Sequence, residues 1–318
     1  MTVTVDMLCI GYGAGPLAAA VVAARARMSV AYIETLFEPP PHDDAARASP
    51  WPDALAERWG VETHAPEMSS YIDELTNDLR APAASAPSMG LAFTEPAAPP
   101  SANRGPDGSV PRFDGSQLRT WAHQCLGSST GVVSTRVTQP GATRVRSATG
   151  EVLEFSDVAA APGNGIGEAE MHDWLLGLAR ESGVQLDAGV GVRRLLFENG
   201  LPSGAVVETP TGKRVVWAQQ GVVLGTGSRR TTATLPVQPQ AATSGWRLCL
   251  CSRPASRFSR LELVRNTEPS ASVLPTPGDA TRAAKTTNSA EQRRERVDAG
   301  IRRDRLRGWH VSRRNAHW

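Results

Sequence analysis

The sequence predicts an α/β protein with a central parallel β-sheet, and three consecutive stretches near the N-terminus carry the prediction. Residues 3–10 alternate and then become apolar, which is typical of a strand buried on both faces. Residues 17–26 are nearly all Ala, Val and Leu, which favours a helix packed closely on a sheet. Residues 30–33 form a second apolar run. Together these stretches predict a βαβ unit.

A glycine-rich turn, Gly11-Tyr12-Gly13-Ala14-Gly15-Pro16, joins the first strand to the helix. Gly11 permits a tight turn, Gly13 lets the backbone approach a pyrophosphate, and the helix N-terminus at Ala14 and Gly15 offers N–H groups to its charge. Pro16 stands where the G-x-G-x-x-G motif has its third glycine, and proline is tolerated at the first helical position. The turn predicts dinucleotide contacts at Gly11, Gly13, Ala14 and Gly15. The alternative is a βαβ crossover without a ligand.

An acidic residue, Glu34, follows the second strand about 20 residues after the glycine turn. A carboxylate at this position binds the hydroxyls of an adenosine ribose and disfavours a 2′-phosphate. The residues therefore favour FAD or NAD over NADP. The alternative is an ordinary solvated charge at a strand end.

The rest of the chain as far as residue 227 predicts further helices and short strands. Apolar residues at helical spacing predict three helices, with Met68, Tyr71, Ile72, Leu75 and Leu79, with Leu118, Trp121, Cys125 and Leu126, and with Met171, Trp174, Leu175 and Leu178. Residues 143–155 predict a hairpin. Short strands at 184–186, 190–197, 205–208, 214–217 and 222–224 include a small β-meander. Residues 81–142 or so are expected to be an insertion.

Residues 5–34 and 173–227, taken together, resemble a known family. The second segment contains Trp174-Leu175, Ala179-Arg180, Gly183-Val184, Val192, Leu195-Leu196, Gly204-Ala205-Val206 and Gly221-Val222-Val223-Leu224-Gly225-Thr226-Gly227. It resembles the FAD-dependent oxidoreductases of the fumarate reductase, succinate dehydrogenase and 3-ketosteroid dehydrogenase type. The resemblance implies a Rossmann-like FAD-binding domain at residues 1–227. It also implies that FAD is contacted by the Val192 backbone, at the adenine, and by the turn Gly225, Thr226 and Gly227.

The resemblance implies hydride transfer between an organic substrate and flavin N5, but the chain departs from the family in two places. Residues 35–39, Thr-Leu-Phe-Glu-Pro, replace a Gly-Gly-Ser-like loop near the flavin. Nothing after Ser228 matches the family's substrate domain or its C-terminal catalytic segment. A truncated or frame-shifted, inactive relative is therefore one open alternative, and a cofactor-free scaffold is another. The substrate and the catalytic residues stay unassigned, because His42, His64, His123 and His172 are candidates by residue type alone, and each is expected to be an ordinary histidine.

The C-terminal segment at residues 228–318 is basic and rich in Arg, Pro and Ser. Residues 229–318 hold 18 of the 34 Lys and Arg residues but only seven of the 32 Asp and Glu residues. This composition predicts little packed structure. Arginines and the two aromatic residues Trp309 and Trp318 also fit nucleic acid or an acidic partner. Without a recognisable nucleic-acid-binding motif, that function is disfavoured.

Localisation and metal binding follow from what the sequence contains. The N-terminus carries no basic region before an apolar core, and glycines interrupt its apolar run, so neither a signal peptide nor a membrane span is predicted. The four cysteines show no disulfide spacing, which favours a reducing, cytoplasmic location. Cys249-Leu-Cys251 lacks further ligands, so no metal site is expected. The sequence does not indicate an oligomeric state.

Overall fold

Twelve strands of the described residues form one mixed β-sheet. The computed structural model describes residues 1–35, 55–56, 59, 61, 66–77, 79, 92–94, 115–135, 141–146, 152–161, 168–187, 191–226 and 246–265. The strands are β1 Thr2–Ile10, β2 Val30–Ile33, β3 Ala92–Thr94, β4 Gly131–Ser134, β5 Thr143–Arg146, β6 Val152–Ala160, β7 Gln185–Asp187, β8 Gly191–Glu198, β9 Leu201–Thr209, β10 Gly212–Gly225, β11 Trp246–Ser252 and β12 Phe258–Arg265. The helices are α1 Ala14–Arg25, α2 Pro66–Thr76, α3 Gly115–Leu126 and α4 Glu168–Glu181.

The strand order of the sheet is β5-β6-β11-β12-β4-β10-β1-β2-β7. Strands β10, β1, β2 and β7 are parallel to one another. Strands β4, β12, β11, β6 and β5 continue the sheet in antiparallel pairs, so the sheet is mixed rather than wholly parallel. The α/β class is confirmed, and β8, β9 and β10 form the expected antiparallel meander.

The βαβ unit predicted at the N-terminus is present as β1, α1 and β2. Along β1, Met7 and Cys9 contribute to the hydrophobic cluster that also contains α1. Leu8 and Ile10 point the other way, into a second cluster that includes residues of α2. Successive side chains of a strand alternate between faces, and both faces of β1 are covered here, which explains why its sequence becomes uniformly apolar.

The last strand of the meander is longer than the sequence suggests. Residues 214–217 and 222–224 were expected as separate strands because the polar pair Gln219 and Gln220 interrupts the apolar pattern. In the structure both belong to β10, which pairs with β1 on both sides of Gln219 and Gln220. A register shift between Val5 and Met7 lets one strand accommodate the extra residue.

Residues 246–265 correct the expectation that the basic segment has little packed structure. They form β11 and β12, a hairpin inserted between β6 and β4. Leu248, Leu250, Leu261 and Leu263 pack in the cluster that contains α1. The average composition of residues 228–318 concealed two short alternating runs, each long enough for a strand. The remainder of that segment lies outside the described residues.

Two strands in the segment expected as an insertion, β3 and β4, belong to the main sheet, and β3 pairs with β12. Strand β4 pairs with both β10 and β12, and α3 lies against β12. The Trp121 indole of α3 donates a hydrogen bond to the Phe258 carbonyl oxygen at 2.9 Å. Within the described chain, no helix is long and apolar enough to span a membrane.

Candidate dinucleotide-binding site

The glycine-rich turn lies at the C-terminal end of β1, and two of its glycines have left-handed backbone conformations. Gly11 has φ 130° and Gly13 has φ 99°, which L side chains rarely adopt. Gly13 is the N-cap of α1, so the first helical turn begins without an N-cap side chain and contains no acidic residue. The turn thus presents backbone N–H groups where an anion can approach.

The end of β10 lies directly beside this turn. A Cβ placed on Gly11 would be 3.1 Å from both Cα and N of Gly225, so the two backbones are in close contact. The Gly225 carbonyl oxygen accepts a 2.8 Å hydrogen bond from the buried indole of Trp59. Thr226 donates its hydroxyl proton to the Cys125 carbonyl oxygen at 3.0 Å. The structure therefore brings the two separately predicted glycine motifs together.

Pro16 and Gly15 take over the packing that a third glycine provides in the usual motif. A Cβ on Gly15 would lie 2.5 Å from the Thr130 carbonyl oxygen, and a Cβ on Gly225 would lie 3.0 Å from Cγ of Pro16. Helix α1 can approach the sheet because Gly15 lacks a side chain and because Gly225 leaves room for the proline ring.

The segment that precedes β4 also lies beside the glycine turn, and sequence analysis did not identify this neighbour. A Cβ placed on Gly13 would be in ordinary contact with the Ser129 carbonyl oxygen, at 3.6 Å, and no second atom of the described residues comes within 4 Å, so the space beside Gly13 is largely open. Ser129 is 6% exposed, and its hydroxyl has no hydrogen-bond partner in the described part of the chain. An unpaired buried hydroxyl beside an open glycine turn fits a polar ligand completing the site.

Glu34 immediately follows β2, whose end is tied to its neighbours on both sides. The Tyr32 hydroxyl donates to the Gly11 carbonyl oxygen at 3.1 Å, and the Glu34 amide donates to the Asp187 carbonyl oxygen at 3.3 Å. The Asp187 carboxylate pairs with Arg214 of β10. These contacts fix the strand end that carries the Glu34 carboxylate.

His172 of α4 lies beside Glu34, a contact that sequence analysis did not predict. Its Nε2 lies 3.3 Å from Oε1 of Glu34, and its ring stacks on Tyr12 with centroids 5.2 Å apart. The Glu34 carboxylate raises the pKa of His172 above its ordinary value, although burial acts in the opposite direction. Nothing in the sequence links residue 172 with residue 34.

The remaining predicted contacts are less closely defined. Val192 is 5% exposed and pairs with Val207 across the β8–β9 ladder. Its contact with adenine stays a prediction. Gly227, His42 and His64 lie outside the described residues. His123 is on α3, close in sequence to the buried residues Trp121 and Cys125.

The cysteines and acidic residues of the described chain do not add a metal centre. No group of three or more His, Cys, Asp or Glu side chains there is arranged to hold a metal ion. All four cysteines are buried and free, and burial raises the pKa of Cys249 to about 12. A thiol with a pKa this high is protonated near neutral pH and is a poor nucleophile.

Comparisons with known proteins find similar solved structures only. No protein-family model and no curated protein matches the sequence. A geranylgeranyl bacteriochlorophyll reductase-like protein from Thermoplasma acidophilum is 15% identical over 69% of this chain and 38% of its own, with a TM-score of 0.27. The 3-ketosteroid-Δ4-(5α)-dehydrogenase of Rhodococcus jostii is 15% identical over 69% of this chain and 45% of its own, with a TM-score of 0.26.

A third similar structure is the myxobacterial chondrochloren halogenase, a variant of the FAD-dependent halogenases. It is 17% identical over 68% of this chain and 36% of its own, with a TM-score of 0.25. The alignments span less than half the length of each of these proteins. Similarity at this level assigns no family.

Proposed function

We propose that this chain binds FAD and acts as an FAD-dependent oxidoreductase. One observation carries the proposal: the glycine turn after β1 lies against the end of β10, with Glu34 at the end of the adjacent parallel strand β2. Ligands of open α/β sheets bind outside the carboxyl ends of parallel strands, where successive connections leave in opposite directions. Strand β1, between β2 and β10, has that position.

Each part of the site would perform one step of binding. The N–H groups at the start of α1 would donate to the diphosphate, and the helix dipole would favour its negative charge. The open space beside Gly13 would let the diphosphate reach those amides without a Cβ in the way. Glu34 would accept hydrogen bonds from the hydroxyls of the adenosine ribose. Ser129 would face the same turn from the β4 side.

FAD, when bound, supplies hydride acceptance or donation at flavin N5. The described residues do not include a proton donor that we can assign, and the substrate stays unassigned. The sequence of residues 35–39 departs from the family pattern, and Thr35, 3% exposed, is the one described residue among them. The alternative is a scaffold that binds no cofactor, and the test must distinguish it from an FAD-binding protein.

The test is an absorbance spectrum of the purified full chain, with and without added FAD, because bound oxidised flavin has two visible bands. We expect stoichiometric uptake of FAD. A colourless protein that takes up no FAD would overturn the proposal and favour the cofactor-free scaffold.

A matched pair of glycine variants tests the location of the site. Gly13 and Gly200 both have positive φ values, 99° and 76°, so alanine strains the backbone at both positions, and the ψ of −175° makes Gly13 a conformation reached almost only by glycine. Only Gly13→Ala adds a methyl group beside the open turn. We expect at least tenfold weaker FAD binding for G13A and unchanged binding for G200A. Equal affinities for the two variants would place FAD elsewhere.

A further inference from the structure

Three side chains from separate parts of the chain meet where β2 ends. Glu34 follows β2, Tyr12 belongs to the glycine turn and His172 is on α4. His172 Nε2 is 3.3 Å from Glu34 Oε1, with both side chains nearly buried at 12% and 13% exposure. The Tyr12 and His172 rings are 18° from parallel. We call this group the Glu34 cluster.

A ribose-binding carboxylate must be ionised and held in one orientation before the ligand arrives. A free glutamate side chain loses rotamer freedom on binding, and that loss weakens affinity. A cation beside one carboxylate oxygen restricts the rotamer and favours the charged form. A carboxylate has about four acceptor positions, so one contact from an imidazole does not exhaust it.

We propose, on the basis of the proposed function, that His172 positions Glu34 for the two ribose hydroxyls of the adenosine half of the dinucleotide. Tyr12 contributes by stacking on the imidazole and so fixing its plane. His172 is a positioning residue in this scheme, because it acts on the ribose through Glu34. The cluster joins the glycine turn that receives the diphosphate to the carboxylate that receives the ribose.

The charge of His172 gives the proposal a pH dependence. The groups that face its ring are Glu34, which follows β2, Tyr12 of the glycine turn and the exposed Asp173 of the same helix. Asp173 Oδ1 is 3.7 Å from Nδ1 of His172. Both carboxylates raise the pKa of His172, Glu34 more strongly. Ribose recognition is therefore strongest when the imidazole is charged and weakens as the pH rises through the raised pKa.

The experiment measures binding of ADP and of 2′-deoxy-ADP to the full chain by calorimetry. The ratio of the two affinities isolates the contribution of the ribose 2′-hydroxyl, since both ligands carry the same diphosphate. A hydrogen bond to a charged group corresponds to roughly a tenfold preference for ADP. We expect that preference in the unmodified protein at about pH 6, and a smaller one at about pH 9.

Two variants of His172 separate its roles. His172→Phe keeps an aromatic ring to stack on Tyr12 but removes the positive charge 3.3 Å from the Glu34 carboxylate, and we expect the preference to fall to about twofold or less. His172→Gln keeps an N–H donor that does not titrate, and we expect a preference that no longer changes with pH. Asp173→Asn is the matched control, because it changes an exposed partner of the same ring and leaves the Glu34 contact in place.

The outcomes distinguish this inference from the proposed function. An unchanged preference for ADP in H172F would overturn the positioning role. Tighter ADP binding by H172F than by the unmodified protein would also overturn it, because His172 would then be blocking Glu34. If H172F does not fold, H172Q decides, and a pH-dependent preference in that variant overturns the inference. If the unmodified protein binds neither FAD nor ADP, the proposed function itself is overturned.

Discussion

The ring of Pro16 lies against the backbone of Gly225, and the two residues together close the junction between α1 and β10. A Cβ on Gly225 would be 3.0 Å from Cγ and 3.3 Å from Cδ of Pro16. Proline at the position of a usual glycine is thus matched by a glycine on the neighbouring strand. The departure from the motif is accommodated by packing between residues far apart in sequence.

Gly225→Ala should therefore destabilise the protein by about 1 kcal/mol, because the rigid proline ring has little freedom to move away. The double variant Pro16→Gly with Gly225→Ala should lose less stability than the two single changes added together. Denaturant unfolding of the four proteins measures this coupling. Strictly additive effects would show that the two residues do not share the space.

Gly15 and Gly177 form a contrasting pair of helical glycines. A Cβ on Gly15 would be 2.5 Å from the Thr130 carbonyl oxygen, whereas a Cβ on Gly177 would meet nothing within 4 Å. We expect Gly15→Ala to destabilise by about 2–3 kcal/mol through overpacking. Gly177→Ala should stabilise by about 1 kcal/mol through helix propensity. If the two substitutions change the free energy of unfolding in the same direction, the packing of α1 against the segment before β4 is contradicted.

The β11–β12 hairpin makes Leu261 a core residue, because its side chain is fully buried in the cluster that contains α1. Leu261→Ala should lower the free energy of unfolding by about 2–5 kcal/mol by leaving a cavity. Arg265→Ala, at the exposed end of the same strand, should change it by at most about 0.5 kcal/mol. If denaturant unfolding shows similar losses of stability for both variants, the hairpin is not part of the core.

The ion pair between His172 and Glu34 should contribute stability in acid rather than in base. The folded-state pKa of His172 is raised above its ordinary value of 6.5. The contribution is therefore fully present below pH 6.5 and is lost as the pH rises through the raised pKa. The stability difference between the unmodified protein and H172Q should shrink over that interval. A difference that is constant with pH, measured by denaturant unfolding, would contradict the pairing.

The first βαβ unit was predictable because its information is local. The unit is one continuous stretch of sequence: the apolar run of β1, then the glycines, then the small residues of α1. The strand and the helix are each indicated by their own residue pattern, and the glycines indicate the turn between them. The helix at residues 168–181 and its end near Gly183 were predictable for the same reason, and Gly183 has the left-handed φ of 78° expected at such an end.

The hairpin at residues 246–265 and the length of β10 were not predictable in the same way. In β12, Leu261 and Leu263 alternate with the charged residues Arg260 and Glu262, so the strand resembles the basic, polar sequence that surrounds it. Strand β10 continues past its polar residues because both flanking parts pair with β1, and that partner is more than 200 residues distant in sequence, as the pairing of Val3 with Val216 shows.

The sequence by itself determined the α/β class, the glycine turn at residues 11–15 and the position of Glu34 at a strand end. Only the tertiary structure decided what surrounds them: Gly225 beside Gly11, Ser129 beside Gly13 and His172 beside Glu34. The physical reason is that periodicity and turn chemistry act over a few residues. Contacts between the ends of neighbouring strands depend on strand order and register, which the whole sheet sets.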